Sequence, residues 1–211
     1  MPPAESATRG TTAAETGAVL SVRVDPALAA APPSRLVPGE DAKAAYLRGL
    51  SLIRSGNRQE ALGLFEELAK GSPSDAAVQN ALGVLYKKDG RLDLAIDAYR
   101  KAITARASFA EASYNLGIAY REKGDFQNAE SAYLSAIKAD GTLAGAHFNL
   151  AVLYDLYLNR PAEALRQYRE YQGLGGSNEL LATWIADLEN RMRPKPQAPE
   201  ASADPAVPPA V

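Results

Sequence analysis

The side chains able to do covalent or metal chemistry are few in this chain. His147 is the only histidine and there is no cysteine. A histidine-based triad, a two-histidine metal site, a zinc site and a cysteine nucleophile are therefore all excluded within one chain. Asp93 with Asp97, and Glu66 with Glu67, have the spacing of charges on a solvated helix face, not of a paired acid and base. Gly173-Leu174-Gly175-Gly176 resembles a phosphate loop but follows a helical pattern and lacks the Lys-Ser/Thr ending, so it reads as a turn. The residues left with something to offer are polar and aromatic, and they recur. Tyr46, Asn80, Tyr114 and Phe148 follow one another at intervals of 34, and the next positions hold Leu47, Ala81, Asn115 and Asn149. An asparagine amide carries both donors and an acceptor, so a column of them can pair with an extended backbone whatever its sequence.

The elements that must position these residues repeat with the same period. Ala110–Leu143 lies on Ala76–Phe109 after a shift of 34, which pairs Leu116-Gly117 with Leu82-Gly83, Tyr120 with Tyr86, Gly124 with Gly90 and Ala129 with Ala95. A fixed period carrying two helical patterns predicts an all-α array of stacked helix pairs, an α-solenoid, rather than a closed globule. Gly56, Gly90 and Gly124 end the first helix of a pair. Gly49, Gly83 and Gly117 lie inside that helix, where glycine costs about 1 kcal/mol against alanine, so their recurrence predicts helices too close for a side chain. Phe65, Tyr99 and Tyr133, like Tyr86, Tyr120 and Tyr154, are expected to fill the spaces between units.

The units fall at 42–75, 76–109, 110–143 and 144–176. In the fourth, alanine replaces the packing glycine and the phase slips by one residue after Tyr154, with no turn glycine. A longer first helix and a skewed last pair are expected there. Residues 177–193 then carry Leu181, Trp184, Ile185 and Leu188 on one stripe, with Ser177 as the expected N-cap. This segment reads as a helix that covers the open end of the stack.

The flanks differ in kind. Of 14 prolines, six lie in residues 1–40 and six in 194–211, and every aromatic lies between Tyr46 and Trp184. Segments without aromatics bury too little apolar surface to offset ordering entropy, so both ends are expected to be disordered around a domain at 41–193. Within the first flank, Val19–Val24 alternates like a short strand and is read as a tether, with a strand-addition peptide as the alternative. Residues 41–193 carry 19 basic and 19 acidic side chains, so no basic footprint for nucleic acid is present. No apolar run approaches the roughly 20 residues of a membrane helix, and Met1-Pro-Pro-Ala-Glu lacks the charged start and the apolar core expected of a signal peptide.

These residues resemble the tetratricopeptide repeat family over residues 42–173: Leu-Gly, then Tyr three places on, Ala nine further, then an aromatic and a second Ala. The resemblance implies helix–turn–helix units whose first helices line a concave groove, with the fifth position facing inward. On that basis Tyr46, Asn80, Tyr114, Asn115, Phe148 and Asn149 are the expected groove residues. Asn115 and Asn149 would hold a partner's backbone, and the aromatics would receive its apolar side chains. Lys87 and Arg121 would favour acidic residues at the rim. The resemblance implies a non-catalytic adaptor for a protein or peptide segment, with no cofactor, metal, nucleic acid or small-molecule substrate. A homo-oligomer built through the ends of the stack is the alternative.

Tyr154-Asp155-Leu156-Tyr157-Leu158 and Trp184-Ile185-Ala186-Asp187-Leu188 also resemble small bacterial lipoproteins of this family. That implies the periplasmic face of a bacterial envelope, with Met1 standing in place of a leader and a lipid-bearing cysteine. With Met1 as the native start, a cytosolic scaffold is expected instead.

Overall fold

The computed structural model describes residues 40–193. Among them are nine α-helices and no strand: α1 (Ala42–Arg54), α2 (Arg58–Gly71), α3 (Ala76–Lys88), α4 (Leu92–Ala105), α5 (Ala110–Lys123), α6 (Phe126–Ala139), α7 (Ala144–Leu156), α8 (Pro161–Gly173) and α9 (Leu181–Met192). None of these helices is long and apolar enough to cross a membrane. The expectations for the two flanks, including the Val19–Val24 strand peptide, lie outside the described residues.

Consecutive helices pair into four hairpins. Asp41 and Asp75 start α1 and α3 by accepting from Ala44 N (2.8 Å) and from Ala77 N (2.9 Å) and Val78 N (3.1 Å). Such caps satisfy amides that the helix leaves without a partner. The first three hairpins turn on Gly56, Gly90 and Gly124, all with positive φ. In the fourth hairpin Asn159 takes that role at φ 49°. Asparagine is the side chain that best tolerates the left-handed region, so it stands in for the missing glycine. The one-residue slip is absorbed here, in the turn. Contrary to expectation α7 is no longer than α1 or α3, each having 13 residues.

The interior glycines are where the hairpins close. A Cβ built on Gly49 would lie 2.7 Å from the Phe65 ring, and Gly83 and Gly117 hold the rings of Tyr99 and Tyr133 just as tightly. All three rings are fully buried. They pack within their own hairpin, against the helix before them. The same rings share core clusters with the following unit, Phe65 with Val78 and Leu82, Tyr99 with Leu116 and Ala119, and Tyr133 with Phe148 and Leu150, so the series serves both contacts. The other tyrosines add polar bridges between units. Tyr86 Oη donates to Glu66 Oε1 of the preceding hairpin (2.9 Å), and Tyr154 Oη donates to Glu130 Oε1 (2.8 Å). Burial, then the Glu130 carboxylate it bonds, pushes the Tyr154 hydroxyl up to about 12.

At the far end α9 lies on α8 and buries Leu181, Trp184 and Leu188. Trp184 meets Phe148 and Tyr168 with ring centroids 6.1 and 5.8 Å apart. Arg191 Nη1 donates to the buried Asp155 Oδ1 (2.7 Å), and Arg169 pairs with Glu189 (2.7 Å), so α9 is held by charge as well as by apolar contact. Ser177 does not cap this helix. Asn178 Oδ1 accepts from Leu180 N (2.9 Å) in a turn, and α9 begins at Leu181 with Leu180 at the N-cap position, three residues beyond Ser177.

Candidate partner-binding groove

The first helices of the hairpins form the inner layer. Helix α3 touches α5 and α5 touches α7, whereas the second helices have no comparable contact with one another. Helices that approach each other along one side of a stack mark its concave face.

The candidate residues meet across this layer by one rule. Asn115 Nδ2 donates to Asn80 Oδ1 (3.2 Å), Asn149 Nδ2 donates to Tyr114 Oη (2.9 Å), and Lys87 Nζ pairs with Glu122 Oε1 (3.0 Å). Each contact spans 35 residues, one period plus one. A side chain on one inner helix therefore reaches the following position of the next unit. Asn149 Nδ2 also donates to Gly145 O of its own helix (3.1 Å).

The three asparagines are each 5 % exposed. Asn80 Nδ2, Asn115 Oδ1 and Asn149 Oδ1 take no part in these bonds, and none is among the sealed polar atoms that lack a partner. Each therefore keeps contact with solvent. What the column presents is one amide atom per residue, with the other used to lock neighbouring units together.

The aromatics are placed differently from expectation. Tyr114 and Phe148 are 2 % and 3 % exposed. Tyr114 leans on Tyr133, and Phe148 is enclosed by Tyr168, Tyr171 and Trp184. The next unit covers the first ring and α9 covers the second, so neither stands free as an anchor; this corrects that part of the sequence reading. Only Tyr46 is half-exposed, with its ring edge-on to Phe65 at 5.5 Å. The position that would lock it, one period plus one onward, is Ala81, which offers no hydrogen bond.

The two cations also differ from each other. Lys87 is engaged with Glu122, a residue the sequence reading did not single out. Arg121 is half-buried and forms no ion pair among the described residues. Its guanidinium lies beside the hydroxyls of Tyr133 and Tyr157, although Arg121 Nε and Tyr133 Oη have no partner in hydrogen-bonding geometry. Burial works against the arginine charge, and the two hydroxyls more than offset it, so its pKa stands above the ordinary arginine value. Burial pushes the Tyr133 hydroxyl well up, against the lowering effect of Arg121.

His147 is a packing residue. Its Nδ1 lies 2.8 Å from Gln167 Oε1 and its Nε2 lies 3.2 Å from Gly141 O, which ties α7 to α8 and to the turn before it. No group of three potential metal ligands occurs among the described residues.

A family model for the tetratricopeptide repeat matches residues 46–110, 89–144 and 114–179. Among solved structures, one of MamA has a TM-score of 0.64 at 22 % identity, covering 71 % of this chain and 81 % of that one. MamA from Desulfovibrio magneticus RS-1 has a TM-score of 0.59 at 21 % identity, over 65 % and 77 % of the two chains. PilF of Pseudomonas aeruginosa has a TM-score of 0.63 at 24 % identity, over 71 % and 68 %. At these identities the likeness is one of fold. No curated protein matches the chain. With hairpins turning on Gly56, Gly90, Gly124 and Asn159, and the matched segments running from the first hairpin to the last, the chain belongs to the tetratricopeptide repeat family, in general a family of protein-interaction scaffolds rather than catalysts.

Proposed function

We propose that the protein is a non-catalytic adaptor that holds an extended segment of a partner protein along its concave face. The observation that carries this reading is the asparagine column, with one solvent-accessible amide atom on each of α3, α5 and α7. Asn80 offers a donor, and Asn115 and Asn149 offer acceptors. These suit successive backbone groups of a strand-like peptide. Tyr46 supplies the apolar contact at the open end of the groove. Tyr114 and Phe148 shape the floor from within the core, and Lys87 and Arg121 set the charge of the rim. Ordering a flexible segment consumes several kcal/mol of the gross contact energy, so binding is modest and readily reversed.

The test is a partner captured by the wild-type protein and then titrated against the double change Asn115→Ala with Asn149→Ala, and separately against Tyr46→Ala. The double change also removes two inter-unit hydrogen bonds, worth about 1 kcal/mol each, so helicity and urea midpoint are measured alongside. Affinity should fall about tenfold or more in the double variant, a change of about 1.4 kcal/mol, while helicity is retained. Wild-type affinity in both variants would exclude the groove.

We place this adaptor in a bacterial envelope assembly. The support is the likeness of Tyr154–Leu158 and Trp184–Leu188 to envelope lipoproteins of the family. Fractionation of cells expressing the gene from its own locus decides it: protein released with the cytosol, and protected from protease in spheroplasts, rules out the envelope.

A further inference from the structure

Along the turn edge of the stack one contact recurs at the repeat interval but changes its chemistry. Between the first and second hairpins Gln59 Nε2 donates to Asp89 Oδ2 (3.5 Å). One period on, between the second and third, Lys123 pairs with Asp93. Between the third and fourth, Tyr157 lies over Phe126 with ring centroids 4.6 Å apart. Lys123 and Tyr157 hold the same place in successive units, and so do Leu92 and Phe126. The last two boundaries are filled unequally. At the second, an open notch of about 380 Å³ is lined by Gly90, Arg91, Leu92, Asp93, Leu94 and Lys123. Leu94 is 41 % exposed and Leu92 is half-buried, so the floor of the notch is apolar and meets water. At the third, the corresponding floor is Phe126, and the chain covers it with its own tyrosine.

The molecule thus carries its own template for what the notch accepts. A ring laid on the two leucines would take apolar area out of water, as Tyr157 does for Phe126. Residues 1–39 and 194–211 hold no aromatic, so neither flank can supply that ring. Among the described residues Tyr157 is the only exposed aromatic, and it is engaged with Phe126, so a second copy has no unengaged exposed ring to offer. Lys123 and Asp93 at the rim are both exposed, and a pair of this kind is worth little. The ammonium can leave Asp93 for the face of an incoming ring, as Arg91 lies over Tyr86 (4.7 Å) and Arg160 over Tyr154 (4.5 Å). We propose that this notch, between the second and third hairpins, receives a tyrosine or tryptophan side chain of a partner protein, seated on Leu92 and Leu94. It shares no residue with the asparagine column and does not depend on the groove reading.

The experiment uses the full chain with isotope-labelled leucine methyls. The probes are N-acetyl-tyrosine amide, N-acetyl-tryptophan amide and, as the aliphatic control, N-acetyl-leucine amide. Both aromatic probes should move the Leu92 and Leu94 methyl resonances upfield, the signature of a ring stacked over them. Leu134, as exposed as Leu94 but on α6, should stay in place. The leucine probe should bind about fivefold more weakly, since it lacks the ring's contacts with the floor and with Lys123. Leu92→Phe combined with Lys123→Tyr installs the covered pair of the next boundary. It should weaken the aromatic probes about tenfold or more, read at Leu94, with helicity unchanged. If that variant fails to fold, Lys123→Tyr alone decides in its place. Equal shifts at Leu134, equal binding of the leucine probe, or undiminished binding in the filled variant overturns the proposal. Shifts at Leu92 and Leu94 that appear without probe and vanish on dilution assign the notch to a second copy, which also overturns it.

Discussion

Replacing Tyr133 by alanine is expected to destabilise the protein by about 3–5 kcal/mol, the range for deleting a fully buried aromatic. The ring is completely enclosed, and it occupies the space a side chain on Gly117 would need. The reciprocal change is more telling. Gly117→Ala in an open helix would be stabilising by about 1 kcal/mol. Here the new methyl carbon would fall 2.5 Å from the Tyr133 ring. Overpacking of this kind costs about 1–3 kcal/mol, so the net sign should reverse. Combining Gly117→Ala with Tyr133→Leu should recover part of that loss, since the two positions share one contact. Tyr133→Phe, which deletes only the unpartnered hydroxyl, should be neutral or slightly stabilising. Urea unfolding followed by circular dichroism measures all four. A Gly117→Ala protein as stable as wild type would show that the helices do not need this close approach.

The second large effect lies at the other end of the stack. Trp184→Ala should cost about 3–5 kcal/mol and promote self-association. The indole closes a cluster with Phe148 and Tyr168, and without it the apolar end of the fourth hairpin opens to water. Terminal units of repeat arrays need such a cover for solubility. Light scattering and thermal unfolding on the same sample give the answer. A monomeric Trp184→Ala protein with an unchanged melting point would mean that α9 is not a cap.

The repeat made much of this architecture legible before any coordinates. Glycines and alanines recurring at one period can only mean helices in close contact, and Gly83 and Gly117 lie under rings as that logic requires. The period did not reveal which neighbour supplies each ring. Tyr99 and Tyr133 serve both neighbours: each presses on a glycine of its own hairpin and shares a core cluster with the next unit. The groove was legible to the level of residue type. Aligning like with like at 34 hides the actual pairing, which runs at 35 and joins Asn80 to Asn115 and Tyr114 to Asn149. That extra residue is why Tyr114 lies beneath the next unit instead of facing a ligand. Ser177 is no cap for a local reason: Asn178 closes a turn of its own, and the helix starts beyond it.

The offset contact also governs how such a chain can lengthen. A copy of residues 110–143 spliced between Phe109 and Ala110 would present Asn115 to Asn80 and Glu122 to Lys87 as before, and would set its own Tyr114 against an asparagine of the original unit. One inserted after Gly176 would have to displace α9 and give up the Arg191–Asp155 bond with it. Insertion just before α8 would break the frame set by Asn159. Growth of the described array is thus least disruptive in its interior, where the groove lengthens by copies of its central asparagine-bearing helices.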